Sequence, residues 1–256
     1  REVRECPLEE VGLTGKPDSG NDPERVWWIH LDSSDQATLQ KVSGLLALPD
    51  ELLGELQSTE SLPHVMEDED SLTLEAHYWK PPVMDQEAME PQRLIIHLTH
   101  RYCLTVASGD IPALQHFAAT YRREFRFAKT IGFILFLILD NLVDDFTKML
   151  RDMDDRSEDI DEKIHRHFSN ELNNQILDLR RSILTLKRFA TSLRDSLMKL
   201  SGRRIPVISE ACQQSLGDVY NHAQVVVNQL ESLRELVASS LEAYNAILAQ
   251  KMNETM

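Results

Sequence analysis

The sequence predicts an α+β protein: an N-terminal α/β/α layer domain, then a long antiparallel helical hairpin, then a long C-terminal stalk helix. Three observations carry this. Short strand-like apolar runs mix with helical patterns over residues 26–130. From Thr130 onward the apolar residues fall almost entirely at helical spacing. The last 39 residues, Asp218 to Met256, contain neither Pro nor Gly.

The elements follow in order. Residues 1–25 are rich in Pro, Gly and charge and read as a poorly ordered lead-in. Val26-Trp27-Trp28-Ile29-His30-Leu31 is a strand, and Asp32-Ser33-Ser34-Asp35 supplies N-cap residues for the helix after it. Leu39, Val42, Leu45, Leu46 and Leu48 form one helical face, and Pro49-Asp50 opens a further short helix. Alternation at Leu72 and Leu74, and again at Leu94, Ile96 and Leu98, gives two strands. A hairpin turn is expected near His100-Arg101, and a helix from Asp110-Ile111-Pro112 to about Phe127.

The hairpin is assigned to residues 131–205. Leu139, Leu142, Phe146, Met149, Met153, Ile160 and Ile164 keep heptad spacing, with Ser157 as the polar interruption. A turn near His167–Asn170 reverses the chain, and Ile176, Leu179, Ile183, Leu186, Phe189 and Leu193 form the returning face. Ser201-Gly202 and Pro206 break it before the stalk, residues 206–256. There Val219, Ala223, Val226, Leu230, Leu233, Val237, Leu241, Tyr244, Leu248 and Met252 form an apolar seam of coiled-coil spacing. A straight helix of that length reaches about 58 Å. Such a seam is expected to need partner helices, and a chain ending without a C-cap suggests a stalk that continues.

Composition narrows the function. The longest apolar run, Ile131 to Leu139, is nine residues, too short for a bilayer that takes about 20. No signal-peptide pattern opens the chain. Cys6, Cys103 and Cys212 are scattered and imply no disulfide framework, so a reducing compartment fits. A formal charge of −15 argues against nucleic acid and anionic membrane surfaces and is compatible with cations. No G-x-S-x-G, phosphate loop or dinucleotide fingerprint is present, so an enzyme reading has no residues to stand on.

Acids are concentrated in one place. Between Asp140 and Glu162 there are ten acids against three bases. Such a run is either a solvated face or an electronegative surface that concentrates divalent cations. Asp140 ends an apolar run, so its carboxylate lies close to buried surface, where it reads as a capped or salt-bridged Asp. Asp218, taken alone, reads as an exposed helix acid pairing with His222 at i, i+4.

Asp218-Val219-Tyr220-Asn221-His222, the seam, Tyr244 and the Lys251-Met252-Asn253-Glu254-Thr255-Met256 ending resemble the stalk helix of CorA-type magnesium transporters. Leu139-Asp140-Asn141-Leu142-Val143-Asp144-Asp145 is similar to a second family motif, and Gln175 to Asp195 to a looser third. The resemblance spans roughly residues 26–256. It implies metal carboxylates at Asp140, at Asp218 and, in a loop, at Asp85 or Glu87. It also implies pore-lining positions at Asn253 and Met256. The function implied is a Mg2+-sensing, gating domain on the cytoplasmic side of the cell membrane, ahead of missing membrane helices. Mg2+ is both regulator and cargo, Co2+ or other divalent cations are further cargo, and the assembly is a homopentamer. Two alternatives stand beside it: a zinc-transporting relative, and a soluble coiled-coil interaction protein without a transport role. Asn221 departs from the family's second stalk acid, and Leu62-Pro63-His64 from a basic triplet.

Overall fold

The structure is a computed structural model, and it describes residues 26–57, 63–78, 92–124, 130–166 and 169–255. Five strands, β1 (Trp27–Asp32), β2 (Val65–Glu67), β3 (Ser71–Tyr78), β4 (Gln92–Thr99) and β5 (Tyr102–Ala107), form one sheet of order β1-β5-β4-β3-β2. β1 runs parallel to β5, and the remaining neighbours are antiparallel. The register pairs Leu72 with Leu98, Leu74 with Ile96 and Ala76 with Leu94, which stacks the alternating apolar residues on one face. The short edge strand β2 lies outside the strands expected from alternation, because three residues carry too little pattern to read.

The opposite face of the sheet takes Ile29, Leu31, Ile95, Leu104 and Val106 against α1 (Gln36–Leu46) and α2 (Asp50–Gln57). Asp35 caps α1, its carboxylate accepting from the Thr38 amide at 3.0 Å. α3 (Pro112–Glu124) sets Phe117 edge-on to Trp28, ring centroids 4.6 Å apart.

Polar groups are also buried in the sheet. Arg93 donates to the fully buried Glu75 carboxylate at 2.7 Å, and His77 lies 3.1 Å from the same carboxylate. Thr73 and His97, paired across β3 and β4, share a 2.9 Å hydrogen bond. Burial pushes the His97 imidazole down to about 4, from an ordinary 6.5. The unfolded chain therefore takes up this proton first. The stability that neutral His97 supplies is complete above pH 6.5 and is lost as pH falls toward 4. Between pH 7 and pH 5 the loss is about 2 kcal/mol. Urea unfolding at both pH values checks it: a His97→Asn variant should show a correspondingly flatter pH dependence.

Three long helices complete the chain: α4 (Ile131–Arg166), α5 (Asn170–Gly202) and α6 (Glu210–Thr255). α6 has 46 residues, about 69 Å of helix. It begins a full two turns before Asp218, with Gly217 inside it and open space where a Cβ would stand. The sheet's helical face, the first turns of α4 and all three long helices share one continuous core. Ser157 is buried within the α4 face at the heptad position that sequence leaves polar.

The seam of α6 does not need helices from another chain. Val219, Ala223, Val226, Leu230, Leu233, Val237 and Tyr244 are each at most 4% exposed, covered by α4 and α5 of the same chain. The hairpin's two apolar faces and the seam repeat at matching intervals, so the three helices close on one another. Leu241 is partly buried against the same core, Leu248 is partly exposed, and Met252, near the tip of α6, is 61% exposed. The expectation that a monomer leaves this seam open is thereby corrected.

Candidate functional site

Two hydrogen bonds fix how α4 lies against α6. The Cys212 thiol donates to the Gly132 carbonyl at 3.0 Å, and Thr147 Oγ1 lies 3.2 Å from His222 Nε2. Further along, the Ser240 hydroxyl donates to the Asp161 carboxylate at 2.5 Å. Positions rise together on both helices, so α4 and α6 are parallel, and α5, which lies between them in sequence, runs antiparallel to both.

The parallel register decides where the predicted acids fall. Asp140 lies about 12 Å along α4 from Gly132, and Asp218 about 9 Å along α6 from Cys212. The two carboxylates therefore stand at one level of the bundle, within a helical turn. They also share a flank. Asp140, Asp144, Thr147, Arg151 and Asp154 repeat at steps of four and three down α4, while Asp218, His222, Val225, Gln229, Ser232 and Leu236 do so down α6. Thr147, Leu150, Arg151 and Asp154 face Gln229, Ser232, Leu233 and Leu236 across a groove of about 480 Å³ between the two helices.

Asp140 is half-buried and has interactions of its own, whereas Asp218 is exposed. His222 does not serve as the partner of Asp218 in the way that i, i+4 spacing suggests. Its ring turns to α4, with Nε2 on Thr147 and Nδ1 4.0 Å from the Asp144 carboxylate. Sequence reasoning missed this cross-helix pair. The signal was present on each helix separately, as Asp140 with Asp144 and Asp218 with His222, but the pairing depends on helix direction and height.

The remaining predicted residues fare differently. Asp85 and Glu87, as well as Met256, lie outside the described residues. Asn253 is exposed in the final turn of α6. Among the described residues no group of three or more His, Cys, Asp or Glu is close enough to hold a metal within one chain. Carboxylate oxygens are hard donors of the kind that suit Mg2+. That ion keeps several waters and takes one or two carboxylates. Asp152 and Asp159 of α4 face solvent: Asp152 is half-exposed and paired with Arg156 at 2.9 Å, and Asp159 is exposed. Asp145 is buried beside Tyr78, with Lys148 on one oxygen at 3.0 Å.

Elsewhere the bundle is tied by charge. Lys187 of α5, and then Arg234, donate to Glu231 of α6 and hold that carboxyl below its ordinary range. Among the described residues the free thiols are buried: burial pushes Cys212 up to about 11, and Cys103 higher still, which disfavours the reactive thiolate. Among the described residues no helix is long and apolar enough to cross a membrane.

Comparison with known proteins places this geometry. The chain is 23% identical over 238 residues to the cobalt/magnesium transport protein CorA of Methanocaldococcus jannaschii, covering 91% of this chain and 73% of that one. The complete structure of the CorA magnesium transporter from Methanocaldococcus jannaschii superimposes with a TM-score of 0.78 at 21% identity. That match covers 90% of this chain and 72% of the other. The ZntB cytoplasmic domain from Vibrio parahaemolyticus is more distant, at TM-score 0.61 and 13% identity over 89% of this chain and 87% of its own. These structural likenesses show the fold. The description "CorA-like Mg2+ transporter protein" matches residues 23–256, nearly the whole chain, and its relatives are ion transporters, not enzymes. The chain belongs to the CorA-like Mg2+ transporter protein family.

Proposed function

We propose that this chain is the Mg2+-sensing and gating portion of a divalent cation transporter, placed on the cytoplasmic side of the membrane, with Mg2+ as cargo and regulator and Co2+ as a further cargo. The observation that carries the reading is the placement of Asp140 and Asp218 at one level and on one flank of the α4/α6 pair. A pair of carboxylates on an outward flank leaves room for the rest of an ion's shell from water or from a second copy, consistent with a homopentamer. Asp85 completes the proposed carboxylate set, and Asn253 and Met256 line the mouth of the pore.

The chemistry is linkage. An ion held between copies favours the closed arrangement only to the extent that it binds that arrangement more tightly than the open one. When Mg2+ is scarce, the acidic flanks lose their counter-charge and repel. Asn253 amides can hydrogen-bond the waters of a hydrated Mg2+, which dehydrates reluctantly. A ring of Met256 side chains gates by excluding water.

The test is ion flux through the whole transporter in vesicles. Mg2+ uptake is expected to fall when Mg2+ is raised on the side that holds this domain, and Met256→Ala is expected to increase the leak. Uptake of Zn2+ without Mg2+ would overturn the cargo assignment, and no divalent flux at all would return the chain to an interaction role.

A further inference from the structure

α6 outlasts the helices that cover it. Tyr244, 3% exposed, is the last fully buried residue along it. Ile247 and Leu248 are partly buried, and Ala249 to Asn253 are exposed. The helix nonetheless runs on to Thr255, with no Pro or Gly after Gly217. Tyr244 therefore marks the place where α6 leaves the bundle. Thr255 stands roughly 16 Å beyond it, and Asp218 roughly 39 Å before it.

The turn between α4 and α5 grips that place. The Tyr244 hydroxyl donates to the Ser169 carbonyl at 2.9 Å. Ser169 is the N-cap of α5, its own hydroxyl accepting from the Leu172 amide at 3.2 Å. Its carbonyl also receives the first-turn amide of Asn173, at 3.4 Å. A carbonyl oxygen has two lone pairs, so Tyr244 takes the one that the helix leaves over. One turn earlier on the same side of α6, the Ser240 hydroxyl, in a side chain only 5% exposed, donates to Asp161 of α4. Polar ties thus hold α6 at both ends of the bundle: Cys212 and His222 toward the sheet, Ser240 and Tyr244 at the tip of the hairpin. Between them Val226, Leu230, Leu233 and Val237 meet the other helices through apolar contact. Apolar burial is non-directional, whereas a hydrogen bond fixes height and rotation.

We infer that Tyr244 is a positioning residue for gating: its hydroxyl ties the tip of the α4–α5 hairpin to α6, and a shift of the hairpin is handed through it to the end of α6 that carries Asn253. This rests on the reading that ion binding at Asp140 and Asp218 controls the pore, and it names the joint through which that control passes. α4 carries both Asp140 and Asp161 and is continuous from Ile131 to Arg166, without Pro or Gly after Gly132. A displacement of α4 at the level of Asp140 reaches the tip along one helix. There Asp161 and Ser169 pull on Ser240 and Tyr244. Past Tyr244 only Ile247 and Leu248 keep partial cover among the described residues, so the last turns of α6 follow the point at which Tyr244 is held.

Tyr244→Phe in the full-length transporter tests it, because the ring stays in the core and only the hydroxyl is lost. Two readings are compared in vesicles: the Mg2+ concentration, on the side that holds this domain, that halves uptake, and the Mg2+ concentration that half-protects the protein from proteolysis. The variant should need about fivefold more Mg2+ to halve uptake, the worth of one neutral hydrogen bond. Its half-protection concentration should change by less than about twofold, because the carboxylates that hold the ion are untouched. Ser240→Ala should shift uptake in the same direction without shifting protection. A purely structural role for the hydroxyl would move both readings together, and that result would overturn the inference. So would a Tyr244→Phe transporter that closes at the parent's Mg2+ concentration while the parent itself is Mg2+-regulated. A parent transporter whose uptake ignores Mg2+ on that side would instead overturn the gating reading, and the coupling role with it.

Discussion

Leu230→Ala is expected to lower the unfolding free energy of this chain by about 2–5 kcal/mol, the cost of a large-to-small change where the core cannot collapse. Leu230 has no solvent exposure and sits in the continuous core formed with α4 and α5. The loss should be independent of protein concentration, because the helices that cover Leu230 belong to its own chain. Leu236→Ala makes the contrast. Its side chain is 43% exposed at the groove, so the change should cost no more than about 0.5 kcal/mol. Urea denaturation of both variants over a range of chain concentrations separates the cases. A Leu230→Ala protein as stable as the parent when dilute, and weakened only in association, would restore the view that α6 buries its seam between chains.

Asp218→Ala or Asp140→Ala in the whole transporter should leave the fold intact and raise the Mg2+ concentration needed for protection from proteolysis by about tenfold, which corresponds to roughly 1.4 kcal/mol of lost ion binding. Folding should survive because Asp218 is exposed and Asp140 only half-buried. Asp152→Ala and Asp159→Ala serve as controls of equal charge. Asp152 already has Arg156 beside it, and Asp159 faces solvent, so either change should alter the Mg2+ dependence by less than about twofold. Half-protection concentrations across a Mg2+ series decide the matter. Equal shifts in all four variants would indicate a diffuse field over the acidic face with no localised ion.

Periodicity was enough to expose the long helices, because an amphipathic helix must repeat its apolar residues every three or four positions whatever it packs against. Ile176 to Leu193 and Leu139 to Ile164 are buried as their spacing requires. The same logic could not identify the partner. A seam from Val219 to Tyr244 has one pattern whether its neighbours are helices of the same chain or of another, and here α4 and α5 provide the cover. Strand alternation likewise exposed β3 and β4, whereas β2 was too short to carry a pattern.

For the site, sequence alone determined the kind of group and its spacing along each helix: Asp140 and Asp144 on one, Asp218 and His222 on the other. Only the tertiary structure decided that these helices run parallel, that the acids share a level, and that His222 turns to Thr147 and Asp144 rather than to Asp218. The reason is physical. Spacing along a helix is fixed by local backbone geometry and can be read residue by residue. Direction and height between helices are fixed by which apolar faces close the core, which no single segment encodes.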